Sequence, residues 1–81
     1  MNNEYRKIIA KLAIADVEED AVKGEMKLTE DLSLDSLSFV QMVLMLENAY
    51  NIKFDDDYIS MDKLKTVKDV EDYLRKKTGD Q

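Results

Sequence analysis

The residues best placed to do chemistry are an acid and a serine, Asp35 and Ser36, where a polar stretch becomes an apolar helix. Asp is a preferred N-cap residue, which puts Ser36 in the first turn of the helix that follows. The unpaired backbone N–H groups and the dipole of a helix N-terminus stabilise a phosphate there. The pattern predicts that Ser36 is a covalent attachment point for a phosphodiester group.

The composition indicates whether this serine attacks or is modified. The sequence contains no histidine and no cysteine. It therefore has no imidazole to act as a general base near pH 7, no thiol nucleophile and no thiolate metal site. We expect Ser36 to be modified by another enzyme, and the chain itself to be neither an enzyme nor a metal protein. Asp-Ser before an apolar run is also an ordinary capping sequence, so this pair alone is weak support.

Length and charge limit the domain and its partners. We expect residues 1–81 to form a single domain with one small core and no deep cleft. Twelve basic and eighteen acidic residues give a net charge of −6, which disfavours binding to nucleic acid or to anionic membranes. No segment approaches the roughly 20 apolar residues of a membrane span, and the N-terminal residues lack the apolar region of a signal peptide. We expect a cytoplasmic monomer.

Hydrophobic periodicity predicts an all-α protein with four helices. Proline is absent and glycine occurs twice, which is typical of a mostly helical chain with few forced turns. A long acidic connection between the first two helices carries regularly placed apolar residues, and we expect it to pack on the helices. The predicted order is a helix from Glu4 to about Ala15, the connection from Asp16 to Asp35, a helix Ser36–Tyr50, a short third helix at Asp55–Ile59, and a helix from Thr66 to about Lys77.

The second helix is apolar nearly all round, and Glu47 is its only charged residue. A domain this small cannot easily bury a whole helix, so one face should stay partly exposed as a partner site. The alternative is that other helices cover both faces. The predicted inward face holds Phe39, Met42, Val43, Leu46 and Tyr50. The predicted partner-contact face holds Leu37, Val40 and Leu44, flanked by Gln41 and Glu47.

Several segments together carry a resemblance to a known family. They are Glu30-Asp31-Leu32, Asp35-Ser36-Leu37, Leu46-Glu47 with Tyr50, Thr66-Val67, Asp69-Val70 and Tyr73-Leu74. The arrangement resembles the acyl carrier protein family over nearly the full chain. The first two segments look like the attachment motif of that family, the third like the end of its second helix, and the others like its last helix.

The resemblance implies a small up-and-down four-helix bundle, with three main helices and a short third one. It implies that a phosphopantetheinyl transferase attaches 4'-phosphopantetheine from coenzyme A to Ser36, and that Asp35 helps that enzyme to position its metal and substrate. The thiol of the arm would hold acyl groups as thioesters for acyl-loading and acyl-processing enzymes. By the same analogy, the inward face with Phe39, Leu46 and Ile59 borders a pocket for a short acyl chain.

Two departures from the family pattern favour a specialised carrier over the housekeeping carrier of fatty acid synthesis. The second helix keeps a single acid, and Asp55 stands where the family commonly has proline. One alternative is an aminoacyl or peptidyl carrier. An alternative of a different class is a non-catalytic helical interaction module that binds a protein through the Leu37, Val40 and Leu44 face and has no prosthetic group.

Overall fold

The computed structural model describes residues 2–13, 18–60 and 62–79. In these segments the chain forms three α-helices, α1 (Glu4–Leu12), α2 (Ser36–Tyr50) and α3 (Val67–Thr78), and two 3₁₀ turns, Glu19–Ala21 and Asp56–Tyr58. The same segments contain no β-strand, only an isolated antiparallel bridge between Lys27 and Thr66. The all-α prediction is confirmed. None of the described helices is long and apolar enough to cross a membrane.

The predicted short third helix is a single 3₁₀ turn, so the four-helix count is not confirmed. Asp55 occupies the N-cap position of this turn but makes no capping bond with its side chain. Its carboxylate instead accepts hydrogen bonds from the Tyr73 hydroxyl at 3.1 Å and from the Lys77 ammonium at 3.3 Å. Because the potential cap is directed toward α3, the following residues lack the side-chain support that a longer helix would need.

The first helix ends earlier than its apolar periodicity predicts. α1 ends at Leu12, and Ala13 is already extended, with φ −69° and ψ 126°. The remainder of the predicted helix, to about Ala15, and the beginning of the acidic connection at Asp16 lie outside the described residues. Tyr5, Ile8, Ile9 and Leu12 have the i, i+3, i+4, i+7 spacing that predicts a buried stripe. The first three are buried, and Leu12 is partly buried against the core.

Side-chain and backbone caps define both ends of α2 and α3. α2 ends where Asn51 adopts the left-handed conformation (φ 54°) and donates its N–H to the carbonyl of Glu47. α3 begins with a capping box in which Thr66 and Asp69 each accept the other's backbone N–H. Two otherwise unpaired donors are therefore satisfied at the start of α3.

The core draws on the loops as well as the helices. The connection before α2 contributes buried side chains, which confirms that it packs on the helices: Val22, Leu28, Leu32 and Leu34. Backbone bonds fasten it to the start of α3, since Leu28 N–H donates to Lys65 O at 2.8 Å and Val67 N–H donates to Met26 O at 3.0 Å. The helix bearing Ser36 therefore follows a fixed segment.

Candidate functional site

Ser36 is the first residue of α2 because Asp35 caps the helix in front of it. Asp35 has extended backbone (φ −90°, ψ −178°), and its Oδ1 accepts the Ser38 N–H at 2.8 Å. Its carbonyl accepts the Phe39 N–H at 2.9 Å, the first bond of the helix. Ser36 is exposed. A hydroxyl is thus presented to solvent at the positive end of a 15-residue helix.

Unpaired backbone donors lie at the same end of α2 as this hydroxyl. In the described part of the chain, no acceptor takes the N–H groups of Ser36 and Leu37, whereas that of Ser38 is bonded to Asp35. Unpaired N–H groups in the first turn, together with the helix dipole, stabilise an anion. A phosphate ester on Ser36 would bring its oxygens to these donors.

The Asp35 carboxylate adds a fixed negative charge beside Ser36. The hydrogen bond from the Ser38 backbone, followed by a bond with the Ser38 side chain, lowers the pKa of Asp35 below its ordinary value. Asp35 is exposed and therefore remains ionised at neutral pH. Among the described residues, no group of three or more His, Cys, Asp or Glu side chains could hold a metal ion.

The loop before the site positions it by burying alternate residues. Leu32 and Leu34 lie in the core, while Asp35 and Ser36 are exposed. The Leu34 N–H donates to the Leu28 carbonyl at 2.9 Å, and Asp31 Oδ2 accepts the Lys27 N–H at 2.8 Å. The two leucines anchor the chain on either side of Ser33, whose φ is 57°. The resemblance included Asp31 in the motif but did not reveal this loop-closing bond.

Most of the predicted partner-contact residues lie on the exposed side of α2. Leu37 is 68% exposed, Val40 44% and Leu44 59%, and Gln41 is also exposed. At about 100° per residue, Val40, Leu44 and Leu37 lie about 40°, 80° and 100° around the helix from Ser36. The alternative that other helices cover both faces of α2 is wrong, because these side chains are open to solvent.

Glu47, the fifth predicted contact, has a structural partner. It is half-buried, and its Oε2 accepts the backbone N–H of Phe54 at 2.7 Å. This bond ties the end of α2 to the segment that follows it. Sequence reasoning placed Glu47 beside the exposed face but could not show that its carboxylate is engaged.

The predicted acyl-pocket residues do not all face inward. Phe39 and Leu46 are in the core, but Ile59 is 38% exposed, so its predicted inward placement is wrong. The preceding 3₁₀ turn explains this result, because it directs Tyr58 toward the core. The Tyr58 ring packs on the Tyr73 ring, with centroids 4.5 Å apart.

Comparison with known proteins assigns this arrangement to a family. A family model described as a phosphopantetheine attachment site matches residues 6–74. An acyl carrier protein from Desulforapulum autotrophicum is 42% identical over 76 residues, which cover 93% of this chain and 94% of the relative. The chain belongs to the acyl carrier protein family. An acyl carrier protein from Thermotoga maritima is 40% identical over 63 residues, covering 78% of this chain and 75% of that protein.

A solved structure supports the fold of this chain. The structure contains an engineered glycine:[carrier protein] ligase of Bradyrhizobium japonicum, complexed with a carrier protein from Agrobacterium tumefaciens and AMP. The match has a TM-score of 0.79 and 29% identity, and it covers 93% of this chain and 99% of the matched chain.

Acyl carrier proteins are non-catalytic, and their phosphopantetheine domain carries covalently attached 4'-phosphopantetheine. The start of α2 fits this group. An exposed hydroxyl is available for the ester linkage, and the N–H groups of Ser36 and Leu37 are available to phosphate oxygens.

Proposed function

We propose that this protein carries its 4'-phosphopantetheine on Ser36 and presents acyl groups to partner enzymes. The observation that carries the proposal is the exposed Ser36 hydroxyl in the first turn of α2, capped by Asp35 and next to two unpaired N–H donors. The chain's own groups hold the phosphate at the helix end. The bound group supplies the thiol on which acyl groups are held as thioesters.

Ser36 depends on another enzyme to acquire the group. The sequence has no histidine, and the nearest carboxylate in sequence, Asp35, is a capping acceptor whose lowered pKa makes it a weak base. A phosphopantetheinyl transferase using coenzyme A is the expected agent. The exposed Asp35 carboxylate, adjacent in sequence to Ser36, is available to help that enzyme position its metal and substrate.

The test is a mass measurement. The protein is incubated with a phosphopantetheinyl transferase, coenzyme A and magnesium, and is then weighed intact. We expect one phosphopantetheinyl group, lost in Ser36→Ala and retained in the matched variant Ser38→Ala, which removes a hydroxyl from the same turn. Failure of several broad-specificity transferases to modify the protein would contradict the proposal. Protein binding that survives Ser36→Ala, with Ser36 unmodified, would instead indicate the helical interaction module.

The cargo of this carrier is proposed to belong to a specialised pathway. The support is the single acid on α2, Glu47, which is already engaged with Phe54. An aminoacyl cargo is the second candidate, because the carrier protein of similar fold is in complex with an engineered glycine:[carrier protein] ligase. Loading assays that compare amino-acid-adenylating enzymes with an acyl-carrier acyl synthetase separate the two. Mass analysis of the group on protein isolated from its native cell identifies the cargo.

We further propose that residues 1–81 act as one carrier domain, since the buried side chains of the described segments form one core cluster. We expect the carrier to be a cytoplasmic monomer, because its tasks require it to move between enzymes. Light scattering tests the oligomeric state, and cell fractionation tests the location.

A further inference from the structure

If Ser36 is the attachment point, as proposed, the surface beside it determines which kind of enzyme surface can bind there. An enzyme that reaches the Ser36 hydroxyl must also cover Leu37, the next residue, which is 68% exposed. Leu44 lies about 12 Å from Ser36 along the helix axis. Even a transient interface covers about 500 Å² on each partner, enough to span this distance. The docking face, defined as Leu37, Val40 and Leu44, is therefore within reach of such an enzyme.

The helix that carries this face has little charge in a highly charged protein. Lysine, arginine, aspartate and glutamate make up 37% of the chain, yet α2 contains one charged residue in 15. That residue, Glu47, uses Oε2 to accept the Phe54 N–H at 2.7 Å. Asp35 lies at the N-terminal edge of α2, where its Oδ1 is bonded to Ser38. A basic partner surface would find little complementary charge along the face, whereas an apolar surface would find three exposed side chains.

We propose that the phosphopantetheinyl transferase places an uncharged, apolar surface on the docking face, and that charge on α2 contributes little to the recognition. The affinity then depends on apolar contact, which salt does not screen, and not on paired surface charges, which salt weakens. Replacing a docking-face residue by a polar residue of similar size weakens binding, whereas adding a carboxylate to the face does not strengthen it.

The first experiment measures binding separately from modification. The Ser36→Ala protein is titrated calorimetrically with a broad-specificity transferase at about 50 mM and about 500 mM NaCl. These concentrations lie below and above the physiological ionic strength of about 0.15 M. We expect Kd to change by less than about threefold, and Leu44→Gln in the same background to weaken binding about tenfold. A salt effect of threefold or more, an unchanged Kd in Leu44→Gln, or no measurable binding would overturn the proposal.

A matched pair of variants tests the sign of the partner's charge. Gln41→Glu adds an acid next to the docking face, and Lys11→Gln removes a base from α1. Each lowers the net charge of −6 by one unit, and both side chains are exposed. We expect that neither variant tightens binding. Tighter binding by Gln41→Glu, with Lys11→Gln unchanged, would show a basic partner surface and refute the inference.

The attachment proposal and the docking proposal can fail separately. Intact mass of the unsubstituted protein after incubation with coenzyme A and the transferase reports on Ser36. Unmodified protein with salt-independent binding at the docking face would refute the attachment alone. Modified protein with salt-sensitive binding would refute the apolar docking surface alone.

Discussion

Replacing Glu47 by Ala and by Gln measures what its carboxylate contributes to the fold. The Phe54 N–H that it accepts belongs to a residue whose side chain is buried in the core. Gln keeps a neutral acceptor of nearly the same shape, whereas Ala leaves this N–H without its partner. Both substitutions remove a negative charge near the C-terminus of α2, where the helix dipole disfavours it. Alanine and glutamine are both good helix formers. The difference between the two variants therefore isolates the hydrogen bond.

The expected magnitude follows from the bond that is lost. A neutral hydrogen bond contributes about 0.5–1.5 kcal/mol net, and an unsatisfied buried donor costs about 1–3 kcal/mol. We expect Glu47→Ala to be less stable than Glu47→Gln by about 1 kcal/mol or more. For a domain of this size that difference corresponds to about 4–8 °C in Tm. Thermal and urea unfolding followed by circular dichroism measure it, and equal stability of the two variants would refute the role assigned to this bond.

Three further substitutions probe other supports of the site. Tyr73→Phe removes the hydroxyl that bonds Asp55, and we expect a loss of about 1 kcal/mol in urea unfolding. The hydrogen bond from the same hydroxyl, followed by that from Lys77, lowers the pKa of Asp55. The stabilisation that ionised Asp55 gives the folded protein is therefore present above the unfolded pKa and is lost as pH falls through the folded pKa. When stability is measured as a function of pH, we expect Tyr73→Phe to lose less stability than the unsubstituted protein between neutral pH and about pH 3. Thr66→Ala should cost about 1 kcal/mol by removing the cap of α3, and no change in the unfolding midpoint would contradict the observed capping box. Leu32→Ala should cost about 2–5 kcal/mol because it empties a core position next to the site, and a loss below about 1 kcal/mol would show that the loop is not anchored there.

The sequence predicted those elements whose signals are local and agree with one another. The bounds of α2, Ser36–Tyr50, are as predicted because the Asp35 cap, the apolar run and the change to a polar stretch at Asn51 all indicate the same ends. The Thr66 cap of α3 is likewise encoded within four residues. Ser36 could be selected because it coincides with such a start, and the absence of cysteine and histidine indicated that it is modified by another enzyme.

The sequence could not predict features that depend on distant residues. Asp55 resembles a helix cap, but Tyr73 and Lys77, which lie 18 and 22 residues away, bind its carboxylate. Tyr58 and not Ile59 is directed inward, because the Tyr73 ring offers it a packing partner. The engagement of Glu47 with Phe54 likewise depends on how the chain returns after Asn51. Each of these outcomes is decided by a tertiary contact that periodicity does not report.

Several acids of this protein stabilise its backbone and loops. Five carboxylates accept backbone N–H bonds or fix loops: Asp31, Asp35, Glu47, Asp55 and Asp69. A chain without proline and with two glycines has few residues that force a turn. Side-chain carboxylates that accept backbone N–H bonds therefore help to stabilise the turns. A net charge of −6 therefore does not by itself indicate an acidic recognition surface. No charged residue lies on α2 between Ser36 and Glu47, so apolar contact is the main interaction that Leu37, Val40 and Leu44 offer to an enzyme.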